Sequence, residues 1–213
     1  MRLAHETPAQ RVVFASREAA GTVTDEVTRL GATRVMIITA PSSAALAAEL
    51  TDALPVVHVH REVVRHVPVE VAERAREAAC ACAADALLCV GGGSATGLAK
   101  AVALTSGVPI VAVPTTYAGS EATDVWGLTE AAAKTTGTDP RALPRTVVYD
   151  ASLFRTLPGR LAVASGLNAL AHGIDAMWGP GPTRSTACWP VSPSAHCATG
   201  CPRSPTTRVG SGA

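Results

Sequence analysis

"DALLCVGGGSATGLAK", Asp85–Lys100, is the stretch on which the fold turns. Ala86 to Val90 are continuously apolar over a strand's length, which predicts a strand buried on both faces. Gly91, Gly92, Gly93 and Ser94 follow, then the helical pattern "ATGLAKAVALTSG". A strand that passes through bare glycine into a helix lets backbone N–H groups approach a ligand closely. The helix N-terminus adds partial positive charge, and Ser94 is placed to cap it. Such a turn can hold a diphosphate. A turn with no ligand would use the same residues, so the glycines alone leave both readings open. The stretch matches neither the G-x-G-x-x-G fingerprint nor a Walker loop.

Working outward, the same alternation repeats. "RVVFAS" (Arg11–Ser16), "RVMIITA" (Arg34–Ala40), "VVHVH" (Val56–His60), "VPIVAVPTT" (Val108–Thr116) and "RTVVYDASLF" (Arg145–Phe154) read as strands. Between them, "AAGTVTDEVTRLG" reads as a helix ending at Gly31. "SSAALAAELTDAL" reads as a helix capped by Ser42 or Ser43, and "VPVEVAERAREAACACAA" as a long one. Strands and helices alternating over short links predict crossover units and an α/β fold, a Rossmann-like parallel sheet covered on both sides. Ligands of such sheets sit beyond the carboxyl ends of the strands. Gly91–Ser94 and Thr115–Thr116 both follow strand ends and are expected to face one crevice. "VPTTYAGSEATDVWG" (Val113–Gly127) is polar and small; Thr115, Thr116 and Ser120 offer hydroxyls where a nucleotide's second half would lie. Turn chemistry alone would use those residue types too.

Bulk properties narrow the function. The 213-residue chain is 47% hydrophobic but 3% aromatic, so its core is built from Ala, Val and Leu. Net charge is +1, from 18 Lys and Arg against 17 Asp and Glu. That balance argues against nucleic acid or an anionic membrane as main partner. No apolar run reaches a membrane span, and the N-terminus has no signal-peptide core, so a cytoplasmic protein is expected. Cys80, Cys82 and Cys89 are expected to pack as small buried hydrophobes. Cys188, Cys197, Cys201 and His196 lack the paired Cys-x-x-Cys spacing of a zinc site.

The runs "DALLCVGGGSATGLAKAVALTSGVPIVAVPTTYAGSEATDVWGLTE", "KTTGTDPRALPRTVVYD" and "GLNALAHGIDAMW" resemble the maleylacetate reductase branch of the iron-containing (group III) alcohol dehydrogenases. The resemblance covers about residues 8 to 180. It implies NADH- or NADPH-dependent reduction of the carbon–carbon double bond of maleylacetate, a small dicarboxylate, to 3-oxoadipate in aromatic-compound degradation. It also implies a homodimer for a full-length chain. Gly91, Gly92, Gly93 and Ser94 would hold the cofactor diphosphate. Thr115, Thr116, Ser120 and Lys134 would line the rest of the cofactor site. His172 would orient a substrate carboxylate or donate a proton. On its own, a His on an apolar helix reads as a packed residue. The wider family usually carries Asp where this chain has Gly97. It places an Asp metal ligand four residues before a His ligand; here the pair is Asn168 and His172. Asn is a poor ligand for a hard cation, so no metal is expected. Ala40 stands where many relatives have an Asp that binds the ribose and repels a 2′-phosphate, which predicts tolerance of NADPH.

From Gly181 the composition changes: five Pro, five Ser and five Thr, with no Leu, Ile, Phe, Asp, Glu or Lys. The expected organisation is a dinucleotide-binding domain over 1–158, the first helix of a truncated helical domain over 159–180, and a disordered tail over 181–213. Shifting the codon frame turns every Cys or Trp of the tail into Leu, Met or Val, so the tail is expected to be out-of-frame translation. With half the cleft missing, turnover by this chain alone is not expected. Two other readings compete: a metal-dependent alcohol dehydrogenase on the same scaffold, and a non-catalytic nucleotide-binding module with an interaction tail.

Overall fold

The computed structural model describes residues 9–131 and 133–178. The tail 181–213, with Cys188, His196, Cys197 and Cys201, lies outside the described residues. The chain runs β1 (Arg11–Ala15), α1 (Ala19–Arg29), β2 (Val35–Thr39), α2 (Ala44–Thr51), β3 (Val56–His60), α3 (Val69–Ala81), β4 (Ala86–Gly91), α4 (Gly93–Ser106) and β5 (Ile110–Pro114). A hairpin follows, β6 (Val125–Glu130) and β7 (Ala133–Thr138), then β8 (Thr146–Asp150) and α5 (Gly159–Trp178). Two compact units divide between Ser165 and Gly166, inside α5.

The main sheet has six parallel strands in the order β1-β8-β5-β4-β2-β3. Period-two alternation splits its side chains between two cores. Val35, Ile37, Ala86, Leu88, Val90, Val111 and Val113 meet α1 and α2 on one face. Met36, Ile38, Leu87, Cys89, Ile110 and Ala112 meet α3 and α4 on the other. Strands β2, β4 and β5 are buried at every residue, which is why they read as unbroken apolar runs.

The expected strands and helices form, with local differences. Gly31 follows α1 at φ +69, a conformation glycine takes without a Cβ penalty. Ser43 sits at the N-cap of α2 but makes no side-chain capping bond, and residues 41–43 form a short 3-10 turn first. Ser94 is not the cap of α4. The N-cap is Gly92, in extended conformation, and Ser94 lies inside the first turn. Cys89 is buried as expected; Cys80 is exposed, because its position on α3 faces away from the sheet. The β6–β7 hairpin, with six antiparallel residue pairs, was not expected from the sequence.

Candidate functional site

The chain moves outward from β2 to β3, returns over β2 to β4, and continues outward to β5 and β8. Between β2 and β4 the connections change face, which opens a crevice beyond their carboxyl ends. Thr39 and Val90 are in register there, one residue before Gly91. The glycine turn therefore stands at the switch point of the sheet.

Each glycine of the turn has a separate reason to lack a side chain. Gly91 takes φ +146, which L side chains rarely adopt. A Cβ on Gly92 would lie 3.0 Å from both Cγ2 and Oγ1 of Thr116. A Cβ on Gly93 would lie 3.0 Å from Cβ of Ala118. The turn is thus hemmed in by the segment after β5, as expected for two strand ends facing one crevice. Thr115 fixes that approach, its N–H donating to Gly91 O at 3.0 Å. The first N–H groups of α4 used internally belong to Ala95 and Thr96, both reaching Gly92 O. Those of Gly93 and Ser94 have no acceptor among the described residues and point out of the helix end, where an anion is favoured.

The other expected residues are placed as follows. Thr115, Thr116 and Ser120 are half-buried along one connector, with Ser120 opening a short 3-10 turn, Ser120–Ala122. Lys134 is exposed on β7 opposite Thr129, and its Cε lies 3.1 Å from where a Cβ on Gly127 would stand. His172 and Asn168 are exposed on the part of α5 that belongs to the second unit. At Gly97 a Cβ would come within 2.9 Å of Val67 Cγ2. His66 and Val67 hold positive φ (65 and 47) and are pinned by Thr129, whose Oγ1 donates to His66 O at 2.8 Å and whose N–H donates to Val67 O at 3.0 Å. Val67 thereby occupies the space a side chain at position 97 would need.

Sequence reasoning missed a buried polar group beneath the site. Lys100 on α4 is fully buried and donates to Thr123 O and Val125 O, each at 2.7 Å. Burial lowers its ammonium to about 8, against the opposing pull of Cys89, Glu121 and Asp124. Glu121 is 3% exposed, and burial raises its carboxyl above the ordinary range although it accepts from Tyr149 Oη at 2.9 Å. Burial likewise raises the Tyr149 phenol, with Glu121 adding to the effect. The one available signal was a single charge on a helix otherwise apolar all round, "GLAKAVAL". Among the described residues no group of three or more His, Cys, Asp or Glu side chains could hold a metal, and no helix is long and apolar enough to cross a membrane.

A doubly wound parallel sheet with a side-chain-free turn at its switch point defines an α/β domain of the Rossmann-like type. The chain belongs to the iron-containing alcohol dehydrogenase family, whose pattern matches residues 9–151. It is 44% identical over 170 residues to a maleylacetate reductase of Burkholderia cepacia, covering 79% of this chain and 48% of that one. It superimposes on the crystal structure of an iron-containing alcohol dehydrogenase from Corynebacterium glutamicum with TM-score 0.87 at 50% identity, over 89% of this chain and 53% of that one. For the maleylacetate reductase of Agrobacterium tumefaciens the TM-score is 0.85 at 37% identity, over 90% and 55%. The chain spans about half the length of the curated relatives it matches.

Proposed function

We propose that this chain is the nucleotide-binding half of an NAD(P)H-dependent reductase of the maleylacetate reductase type, acting in the cytoplasm as a homodimer when joined to a helical half. The observation that carries the reading is the glycine turn at the sheet's switch point, closed on one side by Thr116 and Ala118. The cradle fits a diphosphate: two unpaired N–H groups, a helix N-terminus, and no side chain in the way. Thr115, Thr116, Ser120 and Lys134 extend the cradle toward the rest of the cofactor. Ala40, directly after β2, puts no carboxylate beside the ribose, so NADPH is accepted as well as NADH. A nicotinamide cofactor held there by Gly91, Gly92, Gly93 and Ser94 would supply the hydride for reduction of the double bond of maleylacetate to 3-oxoadipate. His172 serves the substrate side, orienting a carboxylate or handing over a proton.

The family's name favours one second reading, a metal-dependent alcohol dehydrogenase. The donor set speaks against it: the relevant pair is Asn168 and His172, and an amide oxygen is a weak ligand for a hard divalent cation.

Calorimetry with NADPH and NADH tests the central claim. The wild-type chain binds saturably, and Gly92→Val, whose Cβ meets Thr116, weakens binding by roughly 100-fold, about 2.7 kcal/mol. Equal binding by both proteins, or none by the wild type, defeats the reading. Maleylacetate reduction by the chain joined to a helical half, with and without chelator, separates the two chemistries.

A further inference from the structure

The segment that closes the glycine turn, Thr115 to Asp124, has only one regular element, the turn Ser120–Ala122. A connector of that kind keeps its shape through its anchors. At its start Thr115 N–H donates to Gly91 O. In its middle Glu121 O accepts from Gln10 Nε2 at 2.8 Å, and the Glu121 carboxylate accepts from Tyr149. At its end the Lys100 ammonium bridges Thr123 O and Val125 O, with Thr123 Oγ1 at 3.4 Å. Lys100 rises from the third turn of α4, the helix whose N-terminus is the proposed diphosphate site. It also reaches the first residue of β6, the hairpin that carries Lys134. One buried side chain therefore joins the floor of the site, its wall and its hairpin.

We propose that Lys100 is a positioning residue: by tying the Thr115–Val125 segment to α4 it keeps Thr115 and Thr116 against the glycine turn, and its loss opens the nucleotide site while leaving the sheet intact. The inference rests on the nucleotide-binding reading for its consequence, but the tie itself is a property of the chain without ligand. A buried ammonium that only filled space would be replaceable by an apolar side chain of like volume, and such swaps are often neutral. A tie is not replaceable in that way, because two carbonyls lose their donor together.

The groups facing the Lys100 amine are Cys89 from β4, Glu121 and Asp124 from the connector, and Tyr149 from β8 near Glu121; Arg76 of α3 donates to Ala101 O on the same helix. Cys89 is pushed up to about 12 and Tyr149 is also raised, so neither loses its proton near pH 8. Opening of the connector returns Lys100 from about 8 to the ordinary 10.5, so opening takes up a proton between those values. Opening is therefore favoured below pH 8 and becomes harder as pH rises toward 10, by up to about tenfold per pH unit.

Hydrogen exchange of the ligand-free chain, followed by mass spectrometry, tests this with the strand amides of β4 and β5 as internal reference. In Lys100→Met, peptides covering 115–131 exchange at least tenfold faster while the strand peptides are unchanged, and NADPH affinity falls tenfold or more. Exchange of 115–131 unchanged from wild type overturns the proposal. Should Lys100→Met loosen the strands as well, the wild-type chain decides: corrected for intrinsic rate, opening of 115–131 falls between pH 7.5 and 9.5, and a flat profile overturns the tie. Absence of NADPH binding by the wild type defeats the nucleotide reading, whereas the exchange results still judge the tie.

Discussion

Helices α4 and α5 are made of much the same residues and meet opposite fates. In α4, Ala95, Thr96 and every residue from Leu98 to Ala103 are buried, the lysine included. In α5, Val163, Leu167, Leu170 and Ile174 recur at helical spacing and are 63%, 61%, 59% and 48% exposed. Composition does not separate them; covering does. Helix α4 lies on β4 and β5 and is overlaid by α3, β6 and the turns 120–122 and 140–142. The comparison teaches that an apolar stripe is only a demand for a partner, and that the enclosed helix is the one able to hold a charge in fixed geometry.

The strongest way to break the comparison is truncation at the enclosed helix. Leu98 is 1% exposed and packs in the core between α4 and the sheet. Leu98→Ala is expected to cost about 2–5 kcal/mol, the range for a buried leucine whose site cannot collapse. Urea denaturation of the chain measures it. A loss under about 1 kcal/mol would mean that α4 is less tightly held than its burial indicates.

Much of the sheet was legible because β2, β4 and β5 are buried on both faces and so appear as plain apolar runs. The meeting of Gly91–Gly93 with Thr115 and Thr116 was legible too, since two consecutive parallel strands must end on the same side. The hairpin was not. Its strands meet in the run "TEAAAKT", which has helical propensity and no Asn-Gly or Asp-Gly signal. Ala131 takes φ +45 there, a conformation alanine rarely adopts, so the turn is set by the strands on either side and by the Thr129 bonds to His66 and Val67. Without the hairpin, the sequence shows no carbonyl acceptors for a buried Lys100 ammonium. Its burial follows from a cover that the local sequence does not announce; Glu121 is enclosed separately, against Gln10 and Tyr149.

The buried Glu121 makes a sharper, smaller prediction. Burial raises the Glu121 carboxyl above 4.5. A raised folded-state value means the native chain holds a proton that the unfolded chain has released. The stability this contributes is complete below about 4.5 and is lost as pH rises through the folded value. Glu121→Gln still accepts from Tyr149 and cannot ionise. In thermal melts from pH 4 to 8, the wild type should lose stability relative to the variant as pH rises through the folded value. Identical slopes would place the Glu121 carboxylate in water.

The smallest expected effect completes the comparison. Leu167 is the counterpart of Leu98 in residue type, in a helical stretch equally rich in alanine, but 61% of it meets solvent. Little apolar area is lost when it is shortened, and alanine is at least as good a helix former as leucine. Leu167→Ala is therefore expected to change stability by no more than about 0.5 kcal/mol. Measured beside Leu98→Ala in the same titration, the pair isolates covering from residue type. A cost for Leu167→Ala approaching that of Leu98→Ala would show that the α5 stripe is buried in solution. Repeating the measurement over a hundredfold range of protein concentration would then tell whether another copy of the chain buries it, since only that source of burial strengthens with concentration.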